Sequence, residues 1–241
     1  MALPTEKSTP SRHLGDYVLW LYGEPKVGKT TWASWFPDTL FILPSPAPEA
    51  LSLYQVSVSN WEESLRVFRD LRDEDHGFRT IVIDPVELLF SYCQDYVRKL
   101  HGFKHEGDLG HGKGWHLVSD EFLRVMGRVC SLGMGVIFVS HADLKQIETP
   151  EGKRHKYQPA VGASAFRVLN QLTAFILFLQ VEATDEGDRR ILRTRPGPLW
   201  NAGVRTPEGK FMPDIVLEGT PDDYDKFTAA FEKLFEEEDN K

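Results

Sequence analysis

Apolar positions along this chain fall into short unbroken runs, separated by longer stretches where they recur every three or four residues. Residues 17–22 (YVLWLY) are apolar throughout and stop at Gly23, the pattern of a strand covered on both faces. Residues 40–43, Thr80–Ile83 and 135–140 (GVIFVS) read the same way, and 174–181 and 189–194 predict later strands. Between these runs the period lengthens. Residues 29–36 predict a helix closed by Pro37. Asn60, with Glu63 three residues on, is a capping pair opening a helix with Trp61, Leu65, Phe68 and Leu71 on one face. Further helices are expected over 86–100, about 116–132 and 222–238, the last with Phe227, Ala230, Phe231 and Leu234 in register. Residues 142–162 are polar and read as a long loop or hairpin. Strands that are apolar throughout, alternating with helices, predict an α/β fold with a mainly parallel central sheet flanked by helices.

A length of 241 residues suits one large domain or at most two small ones. The organisation expected is a flexible polar arm over 1–14, a main domain over 15–217 and an acidic amphipathic helix and tail over 218–241. Cys93 and Cys130 lie in helical segments and read as free thiols in a reducing compartment, which excludes a disulfide scaffold and Cys-based zinc. His101, His105, His111 and His116 cluster, but their spacing matches no zinc signature. The net charge is −8, of which the residues from Pro221 onward carry −5. A global coat of positive charge for nucleic acid is therefore excluded, although local basic segments are not. Nothing at the start resembles a leader, and the longest nearly apolar run, 172–181, is half the length of a membrane span. A cytoplasmic protein without a membrane partner is expected.

Residues 23–30 (GEPKVGKT) match GxxxxGK[ST] at every fixed position, between an apolar run and a helix pattern. The spacing has a physical reason. Glycines let the backbone curl so that its N–H groups converge on a phosphate. Gly23, Glu24, Pro25, Lys26, Val27, Gly28, Lys29, Thr30 and Thr31 are thus the expected nucleotide-binding residues. Lys29 is placed to reach the β- and γ-phosphates of ATP, and the Thr30 hydroxyl to meet Mg²⁺. Asp84, closing TIVID, is the matching acid for the metal. A full strand–helix section separates the two motifs, which suits the additional-strand class of P-loop ATPases. Hydrolysis needs a group that orients or deprotonates water; Glu49 and Glu87 are the candidates, each equally readable as a surface acid.

GEPKVGKTTWASWFPDTLFI, TIVIDPVELLF, DLGHGKGW, GVIFVSHADLK and ILRTRPG together resemble phage-encoded RecA-like P-loop ATPases, the AAA-type phage nucleotide-binding proteins proposed as single-strand annealing recombinases. The resemblance covers roughly residues 15–207. It implies a RecA-like core forming rings or filaments, with ATP between subunits, single-stranded DNA along the axis and a single-strand-binding protein as a partner in the bacterial cytoplasm. It also implies a γ-phosphate sensor at His141, otherwise a structural histidine. Arg193 and Arg195 fall where ring-forming relatives carry fingers that reach a neighbour's phosphate; alternatively they line a solvated edge strand. One departure stands out. Relatives carry an acid directly after the second strand, in a pattern like FLDTE, whereas this chain reads FILPSPAPEA with Glu49 displaced. Two alternatives to the recombinase therefore stay open: a small-molecule kinase, and a non-hydrolysing scaffold whose assembly is set by ATP.

Two basic stretches with aromatics suit sequence-tolerant single-strand binding. One holds Lys104, Lys113 and Trp115 with Phe103; the other holds Lys153, Arg154 and Lys156 with Tyr157. Either could instead be a plain basic surface loop.

Overall fold

In the computed structural model, which describes residues 3, 5–149, 152–185, 187–207 and 210–236, the apolar runs lie side by side in one sheet. β1 (Val18–Gly23) sits between β5 (Gly135–Thr149) and β7 (Phe175–Thr184), parallel to both. Beyond β5 come β4 (Thr80–Ile83), β2 (Thr39–Leu43) and β3 (Tyr54–Ser57), also parallel. β5 therefore separates the P-loop strand from the strand ending at Asp84, as expected of an additional-strand core. On the other flank the sheet turns antiparallel, through β8 (Gly187–Arg193) beside β7 and β10 (Ile215–Leu217) beside β8. β9 (Gly203–Val204) also pairs antiparallel with β7.

The unbroken apolar runs are explained by two cores, one on each face. Alternate residues such as Trp20, Ile81 and Ile83 face α2 (Trp61–Asp73), α3 (Val86–His101), α4 (Lys113–Val129) and α5 (Ala163–Leu172). Leu19, Leu21 and Val82 face α1 (Lys29–Ala33) and α6 (Asp222–Glu232). Burying each large side chain contributes roughly 1.5–3 kcal/mol. The capping pair forms at the start of α2: the Glu63 N–H donates to Asn60 Oδ1 at 2.9 Å, and Glu63 Oε2 accepts from the Ser59 N–H at 2.7 Å. Both thiols are free, and burial pushes each up, that of Cys130 to about 12. Among the described residues no helix is long and apolar enough to cross a membrane.

Several elements differ from the sequence reading. The helix after the P-loop spans only Lys29–Ala33, its last N–H groups closing into turns over 34–36 before Pro37. The polar stretch 142–162 takes the second of its two expected forms, a hairpin: β5 runs out of the sheet and pairs antiparallel with β6 (Gly152–Pro159). β3 and β9 carry no hydrophobic run of their own, and β10, although all three of its residues are apolar, is too short to read as a strand. α6 ends at Glu232, and the Glu237, Glu238 and Asp239 portion of the tail lies outside the described residues. α6 is no appendage, because Phe227 and Phe231 are wholly buried against Trp32, Tyr17 and Phe175.

Candidate nucleotide site

The two fixed glycines of the loop each answer a geometric demand. Gly23 pairs with Leu179 on β7, where a Cβ would stand 2.3 Å from the Leu179 carbonyl oxygen. Gly28 precedes α1 at φ 105°, a conformation side chains disfavour. The curled loop leaves Glu24, Pro25 and Lys26 exposed, buries Val27 and half-buries Thr31. Lys29 is buried and turns back into the loop, its Nζ donating to the carbonyls of Gly23 at 2.9 Å and Glu24 at 2.7 Å. Burial pulls the Lys29 ammonium below its ordinary range, opposed by Asp84, Glu87 and Glu24.

Asp84 follows the last residue of β4 and lies close enough to Lys29 for their charges to interact. The Thr30 hydroxyl donates to Asp84 Oδ2 at 2.6 Å, so the two expected metal ligands, 54 residues apart in sequence, share one position. A hydroxyl beside a carboxylate is the hard oxygen donor set that Mg²⁺ takes. Burial raises the Asp84 carboxyl above its ordinary range, while Thr30, Lys29 and His141 pull it back.

Glu87 occupies the first turn of α3, one residue past the buried Val86. The register of β5 sets His141 opposite Gly23. Glu87 Oε1 accepts from the His141 backbone N–H at 3.1 Å and lies 2.6 Å from its Nδ1. The other carboxylate oxygen, Oε2, is buried and finds no partner among the described residues. Ser140, one residue earlier, is buried and accepts from the Trp20 indole at 3.0 Å. Lys29, Thr30, Asp84, Glu87 and His141 are thus brought together at the C-terminal ends of β1 and β4, where β5 leaves the sheet for the hairpin.

Glu49 is not brought there. It is exposed beyond the proline cluster that ends β2 and makes no side-chain hydrogen bond among the described residues. Arg193 is corrected as a free finger. It forms ion pairs with Glu182 and with Asp214 (2.9 Å) and lies 4.5 Å above the Trp200 ring, so its charge is consumed within its own chain. Arg195 is exposed, with its Nε donating to the Met212 carbonyl at 2.9 Å.

Lys104 is exposed, and Lys113 and Trp115 open α4 on the surface. Trp115 borders a groove of about 370 Å³ with His116, Ser164 and Arg167. Its neighbour Gly114 has a packing reason, since a Cβ there would lie 2.3 Å from the Glu106 carbonyl oxygen. Phe103, read as a stacking residue, is buried in the core instead. Tyr157 is likewise engaged, stacked on Phe178 at 5.2 Å, and Phe178 stacks on Tyr22. On the hairpin, Lys156 stands opposite Lys145 and Arg154 opposite Ile147, on one face; Lys153 lies on the other, opposite Glu148.

Sequence reasoning missed a cleft of about 220 Å³ on the far side of the P-loop, where Trp35, Arg190, Leu217 and Gly219 face Gly28 and Thr31. Asp223, fully buried, shapes it by accepting the N–H groups of Glu218 at 3.0 Å and Gly219 at 2.7 Å. Only the strand register, which sets Arg190 opposite Leu217, brings these segments together.

The phosphate loop, the paired Thr30 and Asp84, and the strand order define a P-loop NTPase fold. A family model described as an AAA domain matches residues 16–206, and the chain belongs to that family. No curated protein matches it.

Proposed function

We propose that this protein is an ATP- and Mg²⁺-dependent ATPase of DNA recombination, binding single-stranded DNA and assembling into a ring or filament in the bacterial cytoplasm. The observation that carries the nucleotide part is the convergence of Lys29, the Thr30–Asp84 pair and Glu87 on the end of one loop. Lys29 exchanges its two loop carbonyls for phosphate oxygens, which also relieves the cost of its burial. Thr30 and Asp84 would hold Mg²⁺, which when bound would neutralise charge on the phosphates. Glu87, fixed by His141 and with its second oxygen unpartnered, orients the attacking water and accepts its proton. The base of the nucleotide lies in the cleft bounded by Trp35 and Arg190.

DNA binding is supported by the placement of like charges. Two lysines directly opposite each other in a ladder destabilise it, and Lys145 and Lys156 stand so on an outlying hairpin. A polyanion against that face offsets the repulsion. Trp115, 44% exposed beside Lys113, offers a stacking surface. Arg195 is the arginine left to reach a neighbour's nucleotide.

The test is phosphate release from ATP and Mg²⁺, with and without single-stranded DNA, against Lys29→Ala. Stimulation by DNA and its loss in the variant support the reading; normal turnover in Lys29→Ala overturns the site. ATP binding without phosphate release favours a scaffold set by nucleotide alone, a reading supported by the missing acid after β2. Turnover that requires a small acceptor and ignores DNA favours a kinase.

A further inference from the structure

β8 carries three arginines, and the fold treats them differently. Arg193 is held by Glu182, Asp214 and Trp200, and Arg189 stands opposite Glu182 in the ladder. Arg190 is exposed and makes no ion pair or hydrogen bond among the described residues. It precedes the buried Leu192 by two positions, so it lies on the face of the sheet that α1 and α6 cover.

There its guanidinium reaches the P-loop. Arg190 Nε lies 4.0 Å from the point where a Cβ of Gly28 would stand, and Nη1 lies 2.8 Å from the corresponding point at Gly219. Gly219 has φ 83°, in the left-handed region that glycine adopts freely, and no side chain crowds the arginine at that turn. Asp223, fully buried in the first turn of α6, fixes the turn by accepting the N–H groups of Glu218 and Gly219, and Lys226 Nζ lies 3.5 Å from its Oδ1. The Asp223 carboxylate is thereby occupied within the chain. Arg190 is left as an uncompensated cation beside a loop whose N–H groups converge on phosphate.

The direction of the site decides which phosphate it meets. Lys29 Nζ, bonded to the carbonyls of Gly23 and Glu24, and the Thr30–Asp84 pair mark the end where the outer phosphates and Mg²⁺ would lie. Gly28 and Thr31 line the cleft, which neither Asp84 nor Glu87 borders, and Trp35 and Leu217 give it apolar walls suited to a nucleoside. The phosphate that enters the cleft beside Gly28 is then the one attached to the nucleoside. We propose that Arg190 binds the α-phosphate of the nucleotide held by its own chain, through the paired N–H groups of its guanidinium. This deepens the nucleotide part of the proposed function and rests on that part alone, not on DNA binding or assembly. The α-phosphate keeps its charge in ATP, in ADP and in the transition state, so the contact holds all three equally. It sets affinity and leaves the turnover of bound ATP unchanged.

Displacement of a fluorescent ATP analogue by ATP, ADP, AMP and adenosine tests the assignment in wild type and Arg190→Ala, the affinity of the analogue being measured for each chain. The variant should bind ATP, ADP and AMP each about 10- to 100-fold more weakly, and adenosine as wild type does. In steady-state phosphate release its KM should rise while kcat stays within about twofold. Arg190→Lys should recover part of the loss, because a point charge replaces a two-pronged donor. Tm should not move, since the side chain has no hydrogen bond or ion pair to lose. Adenosine weakened as much as AMP would put Arg190 on the nucleoside and overturn the assignment, and a loss confined to ATP would put it on the γ-phosphate and overturn it equally. Wild type that binds nucleotide, with every affinity unchanged in Arg190→Ala, would refute the role of this arginine and leave the nucleotide site standing. Wild type that binds no nucleotide would overturn both.

Discussion

Glu87→Gln separates the charge of this side chain from its shape. Glu87 Oε1 has two contacts to one residue, the His141 N–H at 3.1 Å and Nδ1 at 2.6 Å. A glutamine oxygen can accept in the same place, so each bond falls from a charge-assisted value of about 1.5–3 kcal/mol to about 0.5–1.5 kcal/mol. Two effects offset that loss. The side chain of His141 is 47% exposed, so solvent screens its contact. At the position of the buried, unpartnered carboxylate oxygen the variant also places a neutral amide nitrogen, which costs less to bury than part of a charged group. The net change in stability should be about 1 kcal/mol or less, a shift in Tm of about 2–4 °C. The chemical effect is larger. Removing a general base costs about 10²- to 10⁴-fold in turnover, equivalent to about 2.7–5.5 kcal/mol of barrier. Steady-state phosphate release gives the rate, binding of a fluorescent ATP analogue shows that the site still fills, and thermal unfolding shows that the fold is kept. Turnover within threefold of wild type, with binding and Tm preserved, would refute the assignment of Glu87. His141→Ala frees the carboxylate without removing it and should retain more turnover than Glu87→Gln.

The hairpin makes a prediction in which stability and binding move in opposite directions. Lys156→Glu sets opposite charges across the ladder from Lys145, which should stabilise the hairpin by about 0.2–1 kcal/mol. The same variant should weaken single-stranded DNA binding, and the slope of log K against log salt should fall by about 0.7 for each phosphate no longer neutralised; unchanged affinity and slope would remove the hairpin from the DNA surface. Acid stability should depend on Asp214. Burial raises its carboxyl, but the Thr194 N–H and the Arg193 guanidinium outweigh this and hold it below its ordinary value of 3.8. Its contribution is therefore present above that value and lost as pH falls through the lower, folded-state value. Asp214→Asn should flatten the decline in Tm below about pH 4, and an unaltered acid profile would show that other groups dominate it.

The parallel core was legible because its strands are covered on both faces. Residues 18–23, 80–83 and 135–140 have no polar side to hide, so each reads as an apolar run ending at a site residue: Gly23, Asp84 or His141. The capping pair at Asn60 and Glu63 was legible because its contacts are local. What failed is non-local. β3 carries the exposed residues of a sheet edge, and β10 offers three residues whose meaning comes only from pairing with β8. Arg193 and Arg195 differ in the sequence only by position; which of them is consumed depends on Glu182, Asp214 and Trp200, and those contacts are set by folding. Phe103 looked like a stacking residue because its neighbours are basic, and the core took it because α3 ends beside it.

The end of β2 explains why the catalytic carboxylate should be sought on α3. A RecA-like relative would carry an acid there, but β2 closes at Leu43 and the chain turns at once into Pro44. The Pro44 carbonyl is held by the Tyr92 hydroxyl at 2.8 Å, which ties this segment to the side of α3. Glu49 lies five residues further on, in a turn where the Leu51 N–H bonds to the Pro48 carbonyl, and its carboxylate is exposed. To act it would need its exposed carboxylate to reach the nucleotide from a segment tied to α3 at Pro44. Glu87 needs no movement: its helix starts at the end of β4, and His141 already fixes one of its oxygens. Glu49→Ala should therefore leave turnover within about twofold of wild type, since exposed substitutions away from packed features usually stay within about 0.5 kcal/mol. A loss approaching that of Glu87→Gln would mean that the 44–51 segment closes onto the nucleotide during turnover, and it would transfer the water-orienting role to Glu49.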